Sequence, residues 1–221
     1  MVSEQLRRDL DGIQEMLSRI YDEHDRICYP SIERLMLKLV WAIGKFSAAE
    51  RKGDHPVERL CDTYAMWVAT CQFFSYKVTD ILALKYPGIC LRCRRSEDCD
   101  CEGKNLGIDW LAVQEHIKTW TPPQTMSEWQ AMFQRIYGRA NAKRGYEFAV
   151  ARLPEEESEV IEWILLLPVG DTTELKKELA DLGARIFAIA NILSINLEEA
   201  FLARYDGDCP VCEQTKCSCD P

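Results

Sequence analysis

The chain is 221 residues long, enough for one large domain or two small ones, and its hydrophobic share of 47% is that of a globular protein. A formal net charge of −9 argues against a general nucleic-acid partner and against an anionic membrane surface. The opening stretch MVSEQLRRDL has no apolar signal core, and no apolar run approaches a membrane span, so a cytoplasmic protein with reduced cysteines is expected.

Residues 3–27 read as an amphipathic helix, with Leu6, Leu10, Ile13, Met16, Leu17 and Ile20 on one stripe. After Pro30, Ser31 is a candidate N-cap for a helix running to about Arg51 and stopped by Gly53. Leu35, Leu37, Leu39, Val40, Trp41, Ile43 and Phe46 make this helix apolar enough to predict a buried, central position. A third helix is expected from Val57 to about Phe74 and a short fourth from Val78 to Tyr86. Cys61 and Cys71 fall on the third, where a core role is the simplest reading. No segment alternates strongly enough to be a strand, so the predicted class is all-α.

Cys90, Cys93, Cys99 and Cys101 form a C-x2-C-x5-C-x-C knot, and Cys209, Cys212, Cys217 and Cys219 form C-x2-C-x4-C-x-C near the other end. Four thiols within a dozen residues of a reduced chain point to a metal. Tetrahedral zinc bound by four thiolates, in a structural role, fits best. A pair of redox disulfides, an iron–sulfur cluster, and one zinc drawing ligands from both knots are the alternatives.

The knots expose an internal repeat. Aligning Tyr86-Pro-Gly-Ile-Cys with Tyr205-Asp-Gly-Asp-Cys sets an offset of 119, which pairs Asp62 with Asp181, Leu60 with Leu179 and Val78 with Leu197. With a small gap, SRIY at 18–21 pairs with QRIY at 134–137. Two copies of one unit are therefore expected, at 1–101 and 125–221, joined by a linker at 102–124 with a short helix near Asp109–Thr119 and a Pro122-Pro123 stop.

In the second copy, Glu156 with Glu159 and Glu178 with Asp181 are each spaced i, i+3, which places both carboxylates of a pair on one helix face. Two such helices packed antiparallel would gather four hard oxygen ligands, a set suited to magnesium; the alternative is a solvated acidic face. The first copy has Trp41 and Ala42 where the second has Glu155 and Glu156, Lys45 for Glu159 and Arg59 for Glu178, and keeps only Asp62. Pro154 predicts a helix that either starts there or is kinked there.

The Glu-x-x-Glu, gap, Glu-x-x-Asp pattern, followed by ELADLGARIFAIANILSINLEEAFLARY at 178–205, resembles the all-α nucleoside triphosphate pyrophosphohydrolases of the MazG type. The resemblance covers residues 125–219. It implies an all-α helical bundle in which the internal duplication forms a pseudo-dimer within one chain, alone or as part of a further homodimer. It also implies magnesium- or manganese-dependent hydrolysis of a nucleoside triphosphate to the monophosphate and pyrophosphate by the second copy, the first being degenerate. Glu156, Glu159, Glu178 and Asp181 would hold the metal, Glu155 or Glu156 would orient or deprotonate water, and Arg185, Arg204 and Trp163 would contact substrate. Gly44 stands where that family carries a glycine before its third acid, and Ser158 replaces it in the second copy, which bears on close helix approach. The competing reading is a non-catalytic, zinc-stabilised helical module that binds nucleotides or a protein. A nucleic-acid-binding zinc protein, suggested by Arg92, Arg94 and Arg95, is disfavoured by the acidic charge.

Overall fold

The computed structural model describes residues 8–101, 106–167 and 172–219, and its described residues contain helices and no strands. The helices are α1 (Leu10–Cys28), α2 (Ile32–Lys52), α3 (Pro56–Phe73), α4 (Val78–Lys85), α5 (Trp110–Ile117), α6 (Met126–Arg144), α7 (Tyr146–Leu166), α8 (Thr172–Ile192) and α9 (Leu197–Arg204). The first turn expected at 3–7, including Leu6, and linker residues 102–105 lie outside the described residues. Among the described residues, no single helix is long and apolar enough to cross a membrane.

Local chemistry sets the helix ends. Asp9 caps α1, its carboxylate accepting from Gly12 N at 2.7 Å. Thr125 and Glu128 form a capping box on α6. Gly53 ends α2 at φ +66°, where Asp54 N reaches back to Ala49 O, a left-handed position that costs glycine little. Pro154 lies inside α7, which continues on both sides of it, so the expectation of a start at Pro154 does not hold. The ring is on the exposed side, where solvent can take the carbonyl that loses its amide donor.

The chain forms two compact units, of which the first is built from two separate stretches of sequence. Unit 1 comprises residues 1–78 and 198–221, and unit 2 comprises residues 79–197. In unit 1, α1 and α2 pack on α3, and Ile13, Met16, Ile20, Leu39, Ile43, Phe46, Tyr64 and Trp67 are buried. Most of α9 and the second knot belong to this unit: the Phe201 ring meets Tyr64 at 5.1 Å, and Cys217 N donates to Ile20 O at 2.8 Å. In unit 2, α6, α7 and α8 pack together, burying Trp129, Phe133, Leu153, Val160, Leu179, Ile186 and Phe187. Most of α4 and the first knot complete it: Tyr86 packs edge-on against Phe133 at 5.0 Å, and Cys99 N donates to Ile136 O at 2.7 Å.

The two units repeat local geometry. α1 and α6 have 19 residues each, α2 and α7 have 21, and α4 and α9 have 8. Gln14 bridges Tyr76 O and Val78 N and accepts on its own carbonyl from Gln72. Gln130 does the same with Ile195 O, Leu197 N and Asn191. Positive φ recurs at Ser75 and Ser194, Gly88 and Gly207, and Arg94 and Glu213, each pair 119 positions apart. A Cβ at Gly88 would run into the Trp120 indole, so glycine is required there twice over.

α2 is not buried all round. Leu35, Leu39, Ile43 and Phe46 face the core, while Leu37, Val40 and Trp41 are exposed and the Lys38 ammonium sits 4.1 Å from the Trp41 ring centroid. Packing on α3 uses one face only, so apolar content alone overstates its burial. At Gly44 an added Cβ would meet nothing, and Ser158 is exposed with its hydroxyl donating to Glu155 O, so neither position marks a close helix approach among the described residues.

Candidate metal and phosphate site

In unit 2, α7 and α8 bring three carboxylates together: oxygens of Glu156, Glu159 and Glu178 lie within 4.8 Å of one another. The i, i+3 spacing on α7 stacks Glu156 over Glu159, and α8 presents Glu178 to them. Asp181, the fourth expected ligand, stands outside this group. It accepts from the Lys85 ammonium and from Tyr86 Oη at 2.5 Å, and Lys85 also lies 3.8 Å from Glu178. Burial pushes the Asp181 carboxyl above its ordinary range, against the opposing pull of Lys85. Burial, and then the charge of Glu156, push Glu159 the same way. Glu178 is also raised, chiefly by burial, with Lys85 opposing. The clustered carboxylates of Glu156, Glu159 and Glu178, two of them raised by burial, are a set that a divalent cation would stabilise.

Glu156 is 3% exposed, and its Oε1 accepts from Arg152 at 3.1 Å and from Arg185 at 2.9 Å. Glu155 is outside the cluster, on the exposed side of α7, and pairs with Arg152. The neighbouring Glu157 is buried, its Oε1 has no hydrogen-bond partner among the described residues, and burial pushes it up to about 7.

A cavity of about 350 Å³ adjoins Glu156 and Asp181. Lys85, Arg92, Arg144, Arg152 and Arg185 line it against those two carboxylates, with Tyr86, Phe133 and Tyr137 as aromatic surface. The buried Nε of Arg185 finds no acceptor among the described residues. A surplus of cations within a chain of net charge −9 marks a place for an anion.

Of the residues expected to touch substrate, Arg185 lines this cavity. Arg204 does not: it belongs to unit 1, where it donates to Asp62 at 2.6 Å and to Glu58 at 3.0 Å. Its partner lies 142 positions away, which no local spacing displays. Trp163 is half-buried on α7 and is not among the residues lining the cavity. Lys85, Tyr86, Arg152 and Glu157 went unread in the sequence. A signal for the first two was present, because Lys85-Tyr86-Pro-Gly before one knot matches Arg204-Tyr205-Asp-Gly before the other.

Both knots gather their thiols. Cys90, Cys93, Cys99 and Cys101 have sulfurs within 4.8 Å of one another, as do Cys209, Cys212, Cys217 and Cys219, and all eight are free thiols. Cys99 Sγ lies 3.4 Å from Cys90 and 3.3 Å from Cys101, near the ~3.8 Å edge of a tetrahedron with ~2.3 Å zinc–sulfur bonds. Each could hold a metal such as zinc. The Ser218 amide beside Cys212, at 3.4 Å, helps to hold that thiol down to about 6. Burial raises Cys90, but the amides of Cys93 and Arg92 outweigh it and leave the thiol below its ordinary range. Amides aimed at sulfur favour the thiolates a metal requires.

No family model, curated protein or solved structure matches the chain. Any assignment therefore stands on the geometry and on the sequence pattern.

Proposed function

We propose that unit 2 is a metal-dependent nucleoside triphosphate pyrophosphohydrolase of the MazG type, releasing a nucleoside monophosphate and pyrophosphate. The observation that carries this reading is the juxtaposition of three carboxylates with a cavity lined by five cationic side chains. Carboxylates suit a hard divalent cation, and the cations suit the phosphate chain it accompanies.

Glu156, Glu159 and Glu178 would hold magnesium or manganese, which would supply positive charge to offset that of the phosphate chain. Arg185 and Lys85 bind and orient the phosphates from the cavity side. Asp181 positions Lys85 at the edge of the cluster. Glu156 is better placed than Glu155 to orient water, because Glu155 lies outside the cluster. The water oxygen bonds to the α-phosphorus, the bond to the bridging oxygen breaks, and its electron pair leaves with pyrophosphate. The proton of water passes to the carboxylate.

The matched helix lengths, glutamine bridges and positive-φ positions support an internal duplication, with the short helix and knot of each copy exchanged into the other copy's unit. In unit 1 the metal site is replaced by ion pairs. Asp62 accepts from Arg59, Arg204 and Tyr205, and Arg59 also pairs with Asp54. Such a half supplies structure, not chemistry.

One observation favours a non-catalytic nucleotide-binding module instead: Glu156 and Asp181 already have cationic partners within the protein. Product analysis decides between the two. Incubation with a panel of nucleoside triphosphates and magnesium or manganese should yield pyrophosphate and monophosphate in equal amounts. Tight triphosphate binding without turnover would support the module, and orthophosphate as the product would refute cleavage at the α-phosphorus.

A further inference from the structure

The cavity beside the carboxylates has an unexpected wall. Cys90, Cys99 and Cys101 of the first knot line it, together with Leu91 and Arg92. Arg92 sits inside the Cys90–Cys93 chelating turn, is exposed, and makes no ion pair among the described residues. The other two arginines of the knot are engaged: Arg94 pairs with Asp109 at 2.9 Å and Arg95 with Asp100 at 3.4 Å. The knot thus turns one unpaired guanidinium toward a cavity that already collects cations.

We propose that the first cysteine knot is part of the substrate site, with Arg92 binding an anionic phosphate group and metal in the knot holding Arg92 in place. This rests on the triphosphate reading above. The link between metal and arginine is short. Arg94 N donates to Cys90 O at 2.7 Å and Cys90 N to Arg95 O at 2.9 Å, which closes the turn around Arg92. Four thiolates this close repel one another, and a divalent cation removes that repulsion and fixes the turn. Residue 92 is then presented in one conformation, which lowers the ordering cost of binding. The second knot has Pro210 and Val211 inside its chelating turn, Val211 standing where the first has Arg92, and belongs to unit 1. The two knots are therefore unequal: metal in the first governs substrate binding, and metal in the second governs only the stability of its own unit.

The test uses the full chain, zinc-loaded, with inorganic tripolyphosphate as a base-independent probe at fixed excess magnesium, read by calorimetry. Arg92→Ala should raise Kd roughly 10-fold to 100-fold, the range expected for a lost charge-assisted contact, and Arg92→Lys should recover part of it. Cys93→Ser should weaken binding comparably and lose one zinc, whereas Cys212→Ser should lose one zinc and leave Kd within about twofold of the parent. Unchanged affinity in Arg92→Ala, with the parent binding normally, overturns the inference while leaving the proposed function standing. Weak binding in Arg92→Ala together with unchanged binding after Cys93→Ser overturns the role of the metal. Absence of tripolyphosphate binding by the parent protein overturns this inference and the triphosphate reading together. Should Cys93→Ser fail to fold, the Arg92 pair still decides.

Discussion

Lys85 donates to the carboxylate of Asp181, 96 positions further along the chain. Arg204 stands in the same relation to Asp62 in the other unit. In both, a cation at the end of a short helix neutralises a carboxylate on a long one, and each is followed by a tyrosine that donates to the same acid. The pairing therefore ties a short helix to a long one within each unit.

Removing the cation leaves Asp181 largely buried without its counter-ion. Lys85→Met should lower stability by about 1–3 kcal/mol, the cost of stranding a partly buried charge. Asp181→Asn in the same chain should restore part of the loss, because the stranded charge is then gone. Urea unfolding of the single and double variants measures both effects, and additive losses would contradict the pairing.

Glu157 predicts a pH dependence. Its carboxyl rises from an ordinary 4.5 to about 7 because it is buried. A group that binds its proton more tightly when folded stabilises the fold below about 4.5 and loses that contribution as pH rises through about 7. Glu157→Gln should therefore match the parent Tm below about pH 5, gain on it as pH rises to about 7, and keep a constant advantage above that, measured without added magnesium. A difference that stays constant with pH would mean that Glu157 is ionised in comfort, with a partner.

The two knots predict metal content. Protein purified under reducing conditions should carry two equivalents of zinc, one for each set of four thiols. Chelation should release both and lower Tm, because the metal's binding energy is part of the folding energy. Elemental analysis showing none, or titration showing fewer than the eleven thiols of the chain in metal-stripped, denatured protein, would contradict this.

Much of this was legible from periodicity and spacing. The stripe Ile13, Met16, Leu17 and Ile20 marks the buried face of α1, and the i, i+3 acids mark one face of α7 and of α8. What spacing does not carry is partnership across long separations. Asp181 looks like a free ligand until Lys85 is seen on it, and Arg204 looks like a phosphate contact until Asp62 and Glu58 are seen to hold it. The run Glu155-Glu156-Glu157 looks uniform in sequence, yet the helix turns each acid about 100° from the last. One is exposed, one lies in the cluster, and one is buried. The units were hidden for a related reason. Spacing along the chain does not show that residues 198–221 belong to one compact unit with residues 1–78.

Hydrolysis should be asymmetric between the halves, and pyrophosphate release by Glu178→Gln and Asp62→Asn tests that most directly. Glu178 belongs to the carboxylate cluster, while Asp62 is held by Arg59, Arg204 and Tyr205. With magnesium or manganese and a triphosphate that the parent turns over, Glu178→Gln should lose about 100-fold or more, and Asp62→Asn should stay within a few-fold. Equal loss in the two variants, or no pyrophosphate from any triphosphate with the parent chain, would contradict a single hydrolytic site in unit 2.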